Sequence, residues 1–295
     1  MRSHYSKRFL FGGAFVGLLS LVAASQVIPE AVLPFALSSA RQFQDAESPE
    51  GPAQQNKTQS ASSSDRKLAA LIKRGAIDQK QIYSAPFHRR NLKWDALFLV
   101  ATGGLIAADK HVTGAIPHDN LSVSQHISDA GLYSTVGATG ILLVSGILKE
   151  NERARESGIL GFEAFANTLA LSAVTQLVAG RERPLEGVGH GRFWVNNTLD
   201  SSFPSMHSGL TWSMASVLAH EYPRPWVQFL AYGTATTVSV TRVIGLKHFP
   251  ADAAVAGVFG YFIGQHIFHA HSRFVQQHRD QKVSSDEGGS ALSLD

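Results

Sequence analysis

Long stretches without charged residues are the feature that most constrains how this chain can fold. Four such stretches span 13, 19, 17 and 17 residues, and two further apolar stretches follow prolines. They are Ala96–Ala108, Ala130–Leu148, Ala164–Gly180 and Pro225–Thr241, with the other two after Pro204 and Pro250. The stretches are longer than typical strands and alternate poorly between polar and apolar residues. The sequence therefore predicts an all-α fold, a bundle of six helices.

The composition leaves open whether this bundle spans a membrane. Charged residues make up 17% of the chain, against roughly a quarter in soluble domains. Gly, Ala, Ser and Thr are dense in the stretches, and such small residues allow close helix packing in membranes. Only three of the four stretches, however, reach the roughly 17 residues that spanning requires. Soluble helical packing stays open, and we favour membrane association.

The absence of cysteine and the nearly balanced charge exclude several classes of protein. With no cysteine in the chain, a disulfide framework, cysteine-ligated zinc and a thiol nucleophile are excluded. The net charge is only +3. The densest basic segment, Arg66–Lys93, contains no recognisable nucleic-acid-binding motif. We therefore expect no nucleic-acid partner.

The N-terminus resembles a targeting segment. Basic residues precede an uncharged run, Phe9–Pro29, and small residues permit cleavage after Ser25 or after Ala40. The alternative is an uncleaved anchor, because the run of 21 residues is long enough to cross a bilayer. Both interpretations predict export, either to the cell membrane with the site facing the periplasm or to the soluble periplasm.

The predicted domain organisation follows from these changes in composition. A polar segment around residues 44–64 has too few apolar side chains to offset its ordering entropy. The predicted parts are a signal peptide or membrane anchor at 1–40, a polar linker with a short charged helix at 41–85, a helical core at 86–272, and a polar C-terminal tail at 273–295.

Polar residues that could perform chemistry are concentrated at the predicted helix ends. They are Arg181 and Arg183, Ser205 with Met206 and His207, Arg242, and His248 with Asp252. Each alone has an ordinary explanation, because cations favour a helix C-terminus and prolines or acids suit a helix start. If one end of the bundle gathers them, they form a cationic pocket with imidazoles. Such a pocket suits a tetrahedral oxyanion, phosphate or vanadate.

Two local arrangements are expected at these helix starts. Pro204 is predicted to be the first residue of its helix, with Ser202 as the cap. Asp252 lies four residues beyond His248, and its carboxylate is expected to accept a hydrogen bond from the Nδ1–H group of His248. That hydrogen bond would leave Nε2 with a lone pair for nucleophilic attack.

The order and spacing of these residues resemble the signature of the type 2 phosphatidic acid phosphatase / vanadium-dependent haloperoxidase superfamily, in its phosphatase branch. The family pattern is Lys-x6-Arg-Pro, then Pro-Ser-Gly-His, then Ser-Arg-x5-His-x3-Asp. The matching residues here are Gln176 with Arg183-Pro184, then Pro204-Ser205-Met206-His207, then Thr241-Arg242, His248 and Asp252. The resemblance covers roughly Ala96 to Phe268 and implies a six-helix bundle.

Three positions depart from the family pattern. Gln176 replaces the lysine and removes one positive charge, for which Arg181, about one helical turn away, is a candidate substitute. Met206 replaces the glycine and would be strained if its φ were positive. Thr241 replaces the serine and keeps the hydroxyl.

The resemblance implies a metal-independent phosphatase that hydrolyses a phosphomonoester or a lipid (di)phosphate. His248 would form a phosphohistidine, His207 would act as general acid and then base, and Asp252 would orient His248. No cofactor is implied, and the partner is a phosphorylated lipid or small-molecule substrate. The implied phosphate-binding residues are Gln176, Arg181, Arg183, Ser205, Met206 and Arg242.

Two other functions remain open. A vanadium-dependent haloperoxidase would use the same pocket for vanadate, with His248 as its ligand. A non-catalytic member with a degenerate site is suggested by Gln176. A separate metal site is not expected, because the spacing of His266, His269, His271 and His278 does not place them on one helix face.

Overall fold

The computed structural model describes residues 70, 73–85, 88, 91–195 and 197–277. These residues form six long helices: α1 (Leu92–Gly114), α2 (Leu121–Leu148), α3 (Glu152–Ala179), α4 (Met206–Glu221), α5 (Pro225–Ile244) and α6 (Pro250–His271). Shorter helical segments cover 73–84 and 273–277, and the described part of the chain contains no strand. The predicted all-α fold is confirmed. The predicted signal or anchor, most of the linker and most of the tail lie outside the described residues.

Helices α2 and α3 extend well beyond the uncharged stretches that predicted them, and each contains 28 residues. The start of α3 is fixed by Asn151, whose side chain accepts a hydrogen bond from the backbone N–H of Ala154. This is the usual arrangement of an asparagine N-cap. The helix ends at Gly180, whose φ of 49° is a left-handed conformation that glycine adopts without steric cost.

The pair formed by α4 and α6 lies at the centre of the bundle, and most residues of α4 are buried. The two backbones approach closely because Gly260 and Gly264 on α6 have no side chain. A Cβ atom on either glycine would lie 2.2 Å from a backbone oxygen of α4, that of Gly209 or of Ser213. Close packing of this kind depends on small residues, and it places the N-termini of α4 and α6 side by side.

The helical segment 73–84 packs against the core rather than extending away from it. Ile82 and Tyr83 contact the main cluster of buried apolar residues. Gln79 donates a hydrogen bond of 2.8 Å to the side-chain oxygen of Asn167 on α3. The chain preceding α1 is therefore attached to α3 by both apolar and polar contacts.

Helix α2 buries mainly small and hydroxyl side chains and exposes large apolar ones, which is the inverse of the pattern in a soluble protein. Its buried residues are Ser128, Leu132, Thr135, Thr139 and Gly146. Its exposed large apolar residues are Val123, Ile127, Tyr133, Ile141, Val144, Ile147 and Leu148. A surface helix of a soluble domain directs its apolar stripe inwards. By length and composition α2 and α3 could each cross a membrane, with mean hydropathies of 1.6 and 1.3.

Candidate active site

A cavity of about 420 Å³ lies where the N-terminus of α4 meets the segment between α5 and α6. It is lined by six of the residues predicted from the sequence, together with six others. The predicted ones are Gln176, Arg183, Met206, His207, Arg242 and His248. The others are Gln125, Asp129, Tyr133, Leu199, Asp200 and Lys247. The fold thus brings residues from distant helix ends together around one small, mostly polar space.

His248 is buried, and hydrogen bonds define its tautomer. Its Nδ1 lies 2.7 Å from the backbone oxygen of Ser202. Because a carbonyl oxygen can only accept, Nδ1 must carry the proton. Nε2 then has the lone pair, and it faces Nη2 of Arg242 at 3.5 Å. Burial lowers the pKa of His248 well below its ordinary 6.5, and the Arg242 and Arg183 guanidinium groups lower that pKa further.

Asp252 is placed differently from the prediction. Its Oδ2 is 4.0 Å from Nδ1 of His248, too far for a hydrogen bond. The same oxygen accepts hydrogen bonds from the Ser202 hydroxyl at 2.6 Å and from the Phe249 backbone at 2.8 Å. Asp252 therefore fixes the two chain segments that carry His248 and its carbonyl partner. The expected tautomer is present, but a carbonyl rather than a carboxylate determines it.

Arg181 does not line the cavity, contrary to the prediction that it binds phosphate. Its guanidinium is 1% exposed and bridges two carboxylates, Asp252 at 2.5 Å and Asp109 at 2.7 Å. The group also lies between the rings of Phe193 and Phe249, with its central carbon 4.7 and 4.3 Å from their centroids. The charge of Arg181 is thus already balanced by Asp109 and Asp252. It therefore cannot replace the charge that the cavity lacks.

Asp109 is a buried residue of this network that the sequence interpretation missed. Its carboxylate contacts Arg181 and also accepts a 2.9 Å hydrogen bond from the backbone N–H of Ala251 at the start of α6. Asp109 lies near the end of α1, directly after an uncharged stretch. An acidic residue at the end of an apolar helix was the sequence feature that could have indicated a role for Asp109. The residue connects α1 to the segment that carries His248.

Asp129 is a second carboxylate that the sequence interpretation missed, and it lies inside the cavity. Its Oδ1 is 3.1 Å from Nε2 of His207 and 3.4 Å from Nη1 of Arg242. Nε2 of His207 must therefore carry a proton, since a carboxylate only accepts. Asp129 immediately precedes the uncharged stretch of α2. Burial and the Arg242 guanidinium lower the pKa of His207 to about 4, and the Asp129 carboxylate opposes this shift. The same carboxylate holds Arg242 beside His248.

The start of α4 corrects two local predictions. The first helical residue is Met206, not Pro204, and its N-cap residue is Ser205. Ser202 is consequently not a cap; its hydroxyl donates to Asp252 instead. No side-chain cap occupies this helix end, so its first N–H groups remain available to an anion.

The predictions for Ser205 and Met206, at the same helix start, are also corrected. Ser205 is fully buried, its hydroxyl accepts from Ser208, and it is not part of the cavity wall. The structure thus does not place its hydroxyl where the prediction of phosphate binding requires it. Met206 is helical and is not among the described residues with positive φ. The strain expected from replacing glycine by methionine therefore does not arise.

Gln176 lies at the cavity without contributing a charge. Its side-chain nitrogen donates a 3.0 Å hydrogen bond to the backbone oxygen of Pro204, while its oxygen is buried and has no hydrogen-bond partner within the described part of the chain. The amide thus supports the segment before α4. Lys247, adjacent to His248 in the sequence, also lines the cavity. The family pattern has its positive charge at residue 176. In this chain Lys247 brings a positive charge to the same cavity.

One protein family matches part of the chain. Residues 159–276 match the PAP2 superfamily, and this segment contains most of α3 and all of α4, α5 and α6. This match confirms the resemblance to the PAP2 superfamily that the motifs predicted. The match supports a phosphatase-type function.

One solved structure is similar to the chain. Its description is the crystal structure of the first transmembrane PAP2 type phosphatidylglycerolphosphate phosphatase from Bacillus subtilis. The sequence identity is 17%, the TM-score is 0.41, and the match covers 73% of this chain and 96% of that chain. A TM-score of this size is too low for residue roles to be transferred. Comparison with curated proteins gave no significant match.

Proposed function

We propose that the protein is a metal-independent phosphatase that forms a phosphohistidine on Nε2 of His248. The observation that carries this proposal is the tautomer of His248: Nδ1 is committed to a backbone carbonyl, and Nε2 faces the cavity beside Arg242. A neutral imidazole whose lone pair faces the cavity is a competent nucleophile. Cations around it would stabilise the negative charge of a transferring phosphoryl group.

In the first step, Nε2 of His248 attacks phosphorus, and the bond from phosphorus to the leaving oxygen breaks. Arg183, Arg242 and Lys247 line the cavity and would contact the phosphoryl oxygens, together with the free N–H groups at the start of α4. His207 gives its proton to the leaving oxygen, so the product departs as an alcohol or a phosphate.

In the second step, water attacks the phosphohistidine while His207 removes one of its protons. The bond from phosphorus to nitrogen breaks, inorganic phosphate forms, and the electron pair returns to Nε2 of His248. Asp129, 3.1 Å from His207, favours the imidazolium that the first step requires and the second step forms, against burial and Arg242, which lower the pKa of this ring. Asp252 acts as a positioning residue, because it contacts Ser202 and Phe249 rather than the reacting nitrogen.

The proposed substrate is a lipid phosphate or diphosphate, and the proposed location is a membrane. The distribution of side chains on α2 supports the lipid substrate and the membrane location. Its exposed apolar side chains would face lipid, while its small and hydroxyl side chains face other helices. Export and a periplasmic orientation of the cavity belong to the same proposal. Their support is the basic and apolar N-terminal sequence.

Phosphate release by purified full-length protein in detergent tests the function. The substrate panel is phosphatidic acid, a polyprenyl diphosphate and an aryl phosphate, each with a chelator present. We expect His248→Ala to abolish release from every substrate and wild type to accumulate an acid-labile phosphoenzyme. His126→Ala is a control, since this exposed histidine is outside the cavity lining. Undiminished release by His248→Ala would refute the proposal.

A further inference from the structure

A second cluster of ionisable side chains lies at the end of the bundle opposite the cavity. Asp78, Glu163 and His271 come from segment 73–84, from α3 and from the last turn of α6. One potential ligand atom from each lies within 4.8 Å of the other two. Helix α6 has 22 residues, so its two ends are roughly 30 Å apart at 1.5 Å per residue. The cluster is therefore separate from the proposed catalytic site.

The contacts within this cluster converge on one carboxylate. Nε2 of His271 is 2.8 Å from Oδ1 of Asp78, and Nε2 of His266 is 3.5 Å from the same oxygen. Oε1 of Glu163 lies 4.0 Å from Nε2 of His271. Two imidazole nitrogens and two carboxylates thus face one small volume. Tetrahedral zinc, with bonds of about 2.0–2.2 Å, holds its ligand atoms about 3.3 Å apart, which small side-chain shifts would produce here.

Asp78 supplies an independent reason to expect a ligand. Its side chain is 1% exposed, and its Oδ2 is buried without a hydrogen-bond partner among the described residues. An unsatisfied buried carboxylate oxygen carries a large desolvation cost. A cation bound at this oxygen would remove that cost.

The charge balance also favours a cation. Arg74 forms an ion pair with Oε2 of Glu163 at 2.5 Å and leaves Oε1 facing His271. The two carboxylates against one guanidinium leave one negative charge in excess when the imidazoles are neutral. Mixed nitrogen and oxygen donors suit Zn²⁺, whereas Mg²⁺ and Ca²⁺ prefer oxygen ligands alone.

We propose that Asp78, Glu163 and His271 bind a structural Zn²⁺ ion that fixes segment 73–84 to α3 and α6. His266 is placed to be the fourth ligand. The ion would connect three separate parts of the chain, so its binding energy would add to the stability of the fold. It has no part in phosphoryl transfer, and the proposal is independent of the proposed phosphatase function.

Zinc binding to the full-length protein tests this proposal. The protein is purified without a polyhistidine tag, stripped with a chelator and titrated with ZnCl₂, and bound zinc and the melting temperature are measured. We expect one zinc per chain in wild type and a melting temperature that rises by several degrees with zinc. Neither MgCl₂ nor CaCl₂ should reproduce the rise. Both responses should be lost in Asp78→Asn and in His271→Gln.

His269→Gln is the matched control, because His269 is on the same helix and its Nδ1 contacts the backbone oxygen of Gln265. This variant should bind zinc as wild type does. Should the cluster variants fail to fold, Co²⁺ added to wild type should still give the visible absorption of a tetrahedral site. Absence of stoichiometric zinc and of that absorption, or equal zinc binding by His271→Gln, would overturn the proposal.

Discussion

At the scale of single residues, a backbone carbonyl sets the tautomer of the proposed nucleophile, His248. A carbonyl oxygen cannot donate, so the 2.7 Å contact between Ser202 and Nδ1 of His248 permits only one tautomer. A carboxylate at that position would favour the imidazolium, because an opposite charge raises the pKa of histidine. The neutral carbonyl orients the ring with less effect on its basicity. His248 therefore stays neutral beside two arginines that would attract the substrate.

This arrangement predicts the pH dependence of activity. The pKa of His248 is held below its ordinary value of 6.5, so the imidazole remains unprotonated until the pH falls below that lowered value. Activity that requires the neutral ring should persist into acidic conditions. We expect the acid limb of the kcat/KM profile to lie below pH 6.5. A limb at or above that pH, measured with a soluble aryl phosphate, would contradict the assignment.

Two neighbouring arginines are predicted to have different roles. Arg181→Gln would leave Asp109 and Asp252 buried without their cation, and breaking a buried ion pair in this way typically costs about 3–5 kcal/mol. We expect a large fall in melting temperature. Arg183→Gln changes a residue on the cavity wall, so it should lower kcat/KM and leave the melting temperature nearly unchanged. A stable Arg181→Gln protein with only a raised KM would restore the original prediction for Arg181.

Lys247 is predicted to supply the charge that Gln176 lacks. Lys247→Gln should lower kcat/KM about tenfold, which corresponds to about 1.4 kcal/mol of transition-state stabilisation. Adding Gln176→Lys to this variant should recover much of the loss, since both side chains reach the same cavity. Lys149→Gln, at the distant end of α2, is the control and should leave the kinetics unchanged. Wild-type kcat/KM in Lys247→Gln would exclude this role.

At the scale of helices, the crossing of α4 and α6 positions the site. His207 is in the first turn of α4, and His248 and Asp252 flank the start of α6. The two N-termini meet because glycines let the backbones touch along the crossing. Any widening of this crossing would separate the proposed nucleophile, His248, from the proposed acid, His207.

A pair of glycine substitutions tests this packing. In Gly260→Ala the new Cβ would lie 2.2 Å from the backbone oxygen of Gly209, which cannot move without shifting α4. In Gly233→Ala on α5 no atom of the residues that the structure describes lies within 4 Å of the new Cβ, and alanine favours a helix over glycine by about 1 kcal/mol. We expect Gly260→Ala to lower both melting temperature and activity, and Gly233→Ala to lower neither. Equal behaviour of the two variants would argue against the close crossing.

At the scale of the whole molecule, the outer surface indicates the environment. Large apolar side chains are exposed on α5 as well as on α2, including Trp226, Phe229 and Leu230. Soluble monomers rarely expose wide apolar patches. A bundle with small and hydroxyl residues inside and apolar residues outside is suited to lipid.

Membrane fractionation tests the proposed location. We expect the full-length protein to stay in the membrane pellet after high-salt and carbonate washes and to require detergent for release. The same result should hold for a chain with residues 1–40 removed and replaced by a cleavable signal, because the bundle itself supplies the apolar surface. Release of that shortened chain by carbonate would show that only the N-terminal segment attaches it.

Much of the site was predictable because its chemistry follows from residue type and spacing. The three motifs identified His207, His248, Arg183 and Arg242, and the structure places all of them on one cavity. The roles of Arg181 and Ser205 were not predictable, since burial and charge partners depend on segments far away in the sequence. Asp109 and Asp129 were missed for the same reason: each lies in a helix without a motif.

The sequence by itself determined that the chain is helical, because long uncharged stretches can satisfy their backbone hydrogen bonds and bury apolar surface as helices. It also supplied the motif residues from which a phosphate site is predicted. Only the tertiary structure decided that Ser202 rather than Asp252 contacts His248, and that Asp78 and Glu163 join His271. Hydrogen bonds and ion pairs act over a few ångströms, so they depend on how helices pack rather than on distance along the chain.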